Sequence, residues 1–163
     1  MIRVVSVIAI AVLTVIDQFI KWIVEKNLMP IGRQDFIPGF IEWKYVENTG
    51  AAFGSLSDNT VLLSVFTLIV IFVCFIGLLT AKTKDKLFYI CGALIVSGGL
   101  GNLIDRVFRG EEMLNGYVID YINLLFMDFA VFNFADCLIC VGCVLMIIYV
   151  LLEDIMKKKK NRD

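Results

Sequence analysis

The sequence predicts an all-α membrane protein with four transmembrane helices, and three observations lead there. Its 163 residues are 60% hydrophobic, with a mean hydropathy of +0.86; soluble domains are roughly 45–50% apolar. Four segments, about 4–24, 60–80, 87–104 and 134–152, hold the roughly 20 apolar residues that a bilayer crossing needs. Lysine and arginine gather in three groups that an even number of spans places on one side. The length suits a single domain over residues 1–163.

Arg3 precedes the first span, but no small-x-small cleavage site follows, and the apolar run outlasts a signal-peptide core. The span is therefore expected to stay uncleaved. Asp17 and Lys21 lie towards its outer end, at i, i+4, where they can pair and lower their joint cost of burial. Pairing is the favoured reading over a direct part in chemistry, and Lys21 could also reach outward to headgroups.

Pro38-Gly39 signals a turn before the second span. Ile41, Trp43 and Tyr45 then alternate with Glu42, Lys44 and Val46, the period of an amphipathic strand. Such a strand, lying on the membrane, could line a groove for an extended peptide by edge pairing. An interfacial loop anchored by its aromatics would read the same way. Asn48-Thr-Gly-Ala-Ala-Phe-Gly54 offers small residues for close backbone approach to a ligand, with Asn48 as donor and acceptor. A tight turn into the second span would look similar.

Lys82, Lys84 and Lys86 fill the next connection, and Lys157 to Lys160 with Arg162 follow the fourth span. With Arg3 they predict cytoplasmic termini, and the lysine tail also suits anionic lipid. On the outer segments, 25–59 and 105–135, acids outnumber Lys26, Arg33, Lys44, Arg106 and Arg109. Gly98-Gly-Leu-Gly-Asn-Leu-Ile-Asp-Arg106 closes the third span; its glycines permit close helix packing. It follows no strand and lacks a phosphate-loop lysine, so it does not read as a nucleotide site. Asn102 and Arg106, at i, i+4, aim an amide and a guanidinium at one place, where Arg106 could meet a carboxylate or hold a substrate backbone. Asp105 is expected to pair with Arg106 or to lie on the surface.

The chain contains no histidine. That excludes Ser-His-Asp chemistry and histidine metal sites and leaves carboxylates as the strongest enzymatic option. Asp120 in Val118-Ile-Asp-Tyr-Ile122 and Asp136 in Phe132-Asn-Phe-Ala-Asp136 stand in apolar surroundings. A carboxylate there costs several kcal/mol unless something pairs with it or uses it. If folding brings them together, like charges force them to share one proton, and the pair could activate water against a carbonyl. Asp136 is equally readable as a first-turn residue favoured by the helix dipole. Asp128 has no comparable setting. Cys137-x-x-Cys140-x-x-Cys143 lacks the fourth ligand and the proline of an iron–sulfur run, and reads as a packing face. Cys74 and Cys91 likewise lie in apolar runs. No metal or cofactor is expected, and a net charge of −1 carries no signal for a nucleic-acid partner.

Five blocks together resemble the lipoprotein signal peptidases (signal peptidase II), membrane aspartyl proteases: Asp17-x-x-x-Lys21, Asn48-x-Gly50-Ala-Ala-Phe53, Gly101-Asn102-x-x-Asp105-Arg106, Val118-x-Asp120-Tyr-Ile122 and Phe132-Asn133-x-Ala135-Asp136. They occur in the family's order and cover nearly the whole chain. The resemblance implies a four-helix membrane bundle with a small outer β-cradle and a loop over the active site. It implies that Asp120 and Asp136 are catalytic, that Asn48, Gly50, Asn102, Arg106 and Asn133 bind substrate or support the dyad, and that Asp17 and Lys21 are structural or assisting. It further implies a prolipoprotein substrate carrying a diacylglyceryl-cysteine, cut on the N-terminal side of that cysteine, and inhibition by globomycin-type compounds. The location implied is the bacterial cytoplasmic membrane, with the active site near the outer face in contact with lipid; a monomer suffices. Tyr121 stands where phenylalanine is common, and residues 111–116 lengthen the stretch before Asp120. A small transporter or proton channel is the rival reading, but its acids would spread through the midplane, whereas these cluster at one interface.

Overall fold

Residues 1–50, 59–110 and 112–160 are described by the computed structural model. Helix α1 (Ile2–Asn27) leads to strands β1 (Arg33–Ile37) and β2 (Ile41–Asn48); then come α2 (Thr60–Thr80), α3 (Lys86–Phe108), β3 (Val118–Leu124) and α4 (Phe134–Lys160). The four helices are each long and apolar enough to cross a membrane, as the sequence predicts. α2 keeps the expected bounds. α1, α3 and α4 run past the expected apolar limits because their polar end turns remain helical: on α4, Lys157 and Lys158 pair one turn back with Glu153 and Asp154 at 2.8 and 2.6 Å.

α3 is the hub and packs against each of the other three helices. Of its most apolar stretch 61% is buried, against 17–22% for the other three, whose outer faces present aliphatic and aromatic side chains. Lipid is the solvent that such faces require. The sequence's glycine argument holds here. A methyl at Gly98 would strike the Ala135 carbonyl on α4, and one at Gly101 would strike the Asp17 carboxylate on α1. At the far end Arg3 donates to the Ala81 carbonyl at 2.6 Å, and Phe88 meets Tyr149 with ring centroids 5.9 Å apart. The N-terminus, the lysine-bearing α2–α3 connection and the end of α4 therefore gather at one end of the bundle.

The opposite end carries an antiparallel sheet of order β1-β2-β3. The Pro38-Gly39 turn forms as read, with Gly39 at φ +73°, a conformation that favours glycine. The predicted strand extends to Asn48, but it is the central one and both its edges are taken. The expectation of peptide recognition by edge pairing at Ile41–Val46 is overturned. The β-branched run around Asp120 supplies β3, and Ile122 bridges on to Phe132. Trp43 and Tyr45 do more than anchor a loop: they pack with Leu28, Ile119 and Tyr121, which fastens the sheet to the end of α1.

Candidate active site

Sheet pairing sets Asp120 opposite Val46, and Asn48 opposite Val118. Asn48 thereby reaches Asp120, donating from Nδ2 to Oδ2 at 2.7 Å. The other oxygen, Oδ1, accepts from Asn133 Nδ2 at 2.6 Å. Asn133 immediately precedes α4 and caps it: its Oδ1 accepts from the Asp136 backbone N–H at 3.0 Å, while Asp136 Oδ2 accepts from the Asn133 N–H at 3.1 Å. This reciprocal pair is a capping box. Asp136 Oδ1 accepts in addition from Asn102 Nδ2 at 2.8 Å. The first-turn reading of Asp136 is realised in this geometry, and the same asparagine that caps the helix also reaches Asp120.

Asp120 is 2% exposed, and its carboxyl is pushed up to about 7, first by burial and then by the neighbouring Asp136 charge. Its hydrogen bonds from Asn48 and Asn133 and the more distant Lys21 charge oppose this rise. Both carboxylates border a cavity of about 410 Å³ whose wall is mostly apolar, with Val118, Phe129, Phe132 and Ile139 among its residues. Asn48, Gly50, Asn102 and Arg106 border it too. Arg106 donates from Nη2 to the Gly50 carbonyl at 3.0 Å, and its buried Nε has no partner among the described residues. The block that begins at Asn48 runs on into residues 51–54, which lie outside the described residues.

Behind this wall, Lys21 is fully buried, so the alternative in which it extends to headgroups is overturned. Its ammonium bonds Asp17 at 3.0 Å, Asp105 at 2.8 Å and Asn102 Oδ1 at 2.8 Å. The Asp17–Lys21 pair forms as predicted. The expectation for Asp105 is corrected: it is fully buried and pairs with Lys21 and with Arg109, at 2.9 Å, rather than with Arg106. An i, i+4 step along α3 reaches Arg109, whereas the adjacent Arg106 points off another face, toward the cavity. Asp128, which the sequence sets apart from the other two acids, is exposed and does not border the cavity.

Four residues have roles that the sequence did not show. Gln18 ties Asp17, the Gly101 carbonyl and Asp105 together at 3.0–3.2 Å; its place beside Asp17 was the available signal. Tyr121 is more than an aromatic filler, because its hydroxyl accepts from the first N–H of α4, on Phe134, at 3.2 Å. Cys137 and Cys140 border the cavity, and Cys140 and Cys143 are exposed. The packing-face reading of this run is corrected: Cys140 is one turn beyond Asp136 and shares its face. Among the described residues no group of His, Cys, Asp or Glu is arranged to hold a metal ion.

The same arrangement of helices and sheet occurs in a solved bacterial membrane enzyme, with a TM-score of 0.80 at 29% identity over 92% of this chain and 89% of that one. Among curated proteins, the lipoprotein signal peptidase of Streptococcus pneumoniae is 37% identical over 92% of this chain and 95% of its own length. That of Caldanaerobacter subterraneus is 38% identical over 86% and 92%. The family model described as signal peptidase (SPase) II matches residues 9–152, a stretch that contains both carboxylates, the three asparagines around them and the buried lysine. On the fold, these relatives and that match together, the chain belongs to the signal peptidase II family.

Proposed function

We propose that Asp120 and Asp136 are the catalytic dyad of this membrane peptidase, which removes signal peptides from prolipoproteins. The observation that carries the proposal is the Asn133 side chain. One amide engages Asp120 and the start of the helix that bears Asp136, so a single residue fixes the two carboxylates on one cavity. Asp120, pushed up to about 7, is the member that carries the shared proton at neutral pH. Asp136 then accepts a proton from water as its oxygen attacks the scissile carbonyl, and Asp120 donates to the carbonyl oxygen. Collapse of the tetrahedral intermediate returns a proton to the leaving amine, with no covalent intermediate.

Asn48 and Asn133 hold Asp120, Asn102 holds Asp136, and Arg106, whose Nε has no partner among the described residues, is placed to donate to a substrate carbonyl. The bond cut is the one on the N-terminal side of the diacylglyceryl-cysteine. The apolar wall takes the lipid and flanking side chains, and globomycin-type inhibitors occupy the same space. The termini face the cytoplasm and the cavity opens near the outer face of the cytoplasmic membrane, as the basic residues gathered at the opposite end support. A monomer suffices, because every residue invoked is on one chain.

The test is a gel-shift cleavage assay with purified protein and a diacylglyceryl-modified prolipoprotein. Cleavage by wild type and by Asp128→Asn, lost in Asp120→Asn and Asp136→Asn and blocked by globomycin, is the expected result. An active Asp120→Asn would overturn the dyad.

A further inference from the structure

We propose that Lys21, which lies outside the cavity, is a positioning residue for the dyad and acts through Asn102. The inference rests on the dyad reading above and extends it one step inward. An ammonium can only donate, so the Asn102 atom that Lys21 touches at 2.8 Å is the oxygen. An amide with its oxygen turned to Lys21 must turn its NH2 away, and Nδ2 is the atom that donates to Asp136 at 2.8 Å. The cation also polarises that amide, which strengthens the donor at its other end.

Asn133 adds a weaker hold on the same oxygen at 3.1 Å. It supplies no charge and is itself occupied by Asp120 and by the start of α4. Lys21 has no freedom to adopt another arrangement. Its three N–H bonds are used by Asp17, Asp105 and Asn102, and it is fully buried. Asp17 is fixed in turn by Gln18, and Asp105 by Arg109. α1 thus sets the direction of an amide on α3, which sets the carboxylate on α4.

The experiment measures kcat and KM for a diacylglyceryl-modified prolipoprotein with the full-length protein in lipid, for wild type, Lys21→Met, Asn102→Ala and the double variant. Lys21→Met leaves Asp17 and Asp105 without their cation, so Asp17→Asn/Lys21→Met is measured beside Asp17→Asn; there Asp105 still has Arg109. The expected result is a fall in kcat on the order of 100-fold, with KM within about twofold, whenever Lys21 is replaced in an Asn102 background. No further fall is expected once Asn102 is alanine. A purely structural lysine would instead give losses that multiply in the double variant, and that outcome overturns the proposal. So does full activity without Lys21, or a loss confined to KM. Asp120→Asn is run in the same assay, and activity retained by it refutes the dyad reading itself, which separates the two failures.

Discussion

Replacing Asp120 by asparagine should reverse the order of stability between variant and wild type as pH rises. Burial and the neighbouring Asp136 lift this carboxyl from 3.8 to about 7 in the fold. Between those two values the folded protein keeps a proton that the unfolded chain has lost, so stability declines as pH rises. The contribution is complete below about pH 4 and exhausted above about pH 7. At about 1.4 kcal/mol per pH unit, the whole window is worth about 4 kcal/mol. Asparagine does not titrate, so the difference between the two proteins isolates this group.

The substitution also has a cost that pH does not change. The new NH2 must face the NH2 of Asn48 or of Asn133, which now bond the two carboxylate oxygens, and leaving such a donor unmet costs on the order of 1–3 kcal/mol. Asp120→Asn should therefore be the less stable protein at pH 4.5 and the more stable one at pH 8. Equilibrium unfolding in mixed micelles across that range measures the crossing. Parallel stability curves for the two proteins would refute the argument that burial and Asp136 hold the proton on Asp120.

Cleavage should decline as pH rises through about 7, because Asp120 then loses the proton it donates; a rate that keeps rising to pH 9 would assign the acid elsewhere. Gly101→Ala should destabilise by about 1–3 kcal/mol, since the added methyl meets the Asp17 carboxylate. Gly77→Ala, with open space around it, serves as the control in the same unfolding measurement. A membrane-permeant maleimide should label Cys140 on the cavity wall and block cleavage, with globomycin protecting; Cys140→Ala should be insensitive, and an unprotected, fully active labelled enzyme would place that thiol away from the substrate path.

The spans were legible because lipid demands a long apolar run, and no other part of the chain supplies one. Asp17 with Lys21 was legible because both lie on one helix, where spacing alone fixes the face. Asp105 was misread for the converse reason. It has a cation beside it in sequence, yet adjacent helical residues point apart, and its partners are Lys21 from another helix and Arg109 one turn on. The sheet was half legible. The period at Ile41–Val46 identified a strand, but which strand would be central depends on β3, seventy residues later, and local pattern carries no information about that pairing. The cavity wall at Cys137 and Cys140 was hidden by a similar limit, since apolar residues on a membrane helix look alike whether they meet protein, lipid or an open space.

The cap reading of Asp136 does not exclude the proposed dyad. The side chains that best cap a helix are short, polar and placed at fixed offsets, and a capping box clamps each of its members into one rotamer. In this chain the clamp leaves one oxygen of Asp136 for the amide of Asn102 and turns the NH2 of Asn133 outward to Asp120. Starting the helix and spacing the carboxylates are then the same set of hydrogen bonds. A change that loosened the cap would disturb the proposed dyad before it unfolded the helix, so Asn133→Ser, which can still cap but cannot donate to both Asp120 and Asn102, separates the two roles. The helix should persist, with unfolding shifted by less than about 1 kcal/mol from the cap itself. The rate of cleavage should fall as it does for loss of Asn102. Equal losses of stability and rate would mean that Asn133 acts on the dyad only by holding the helix.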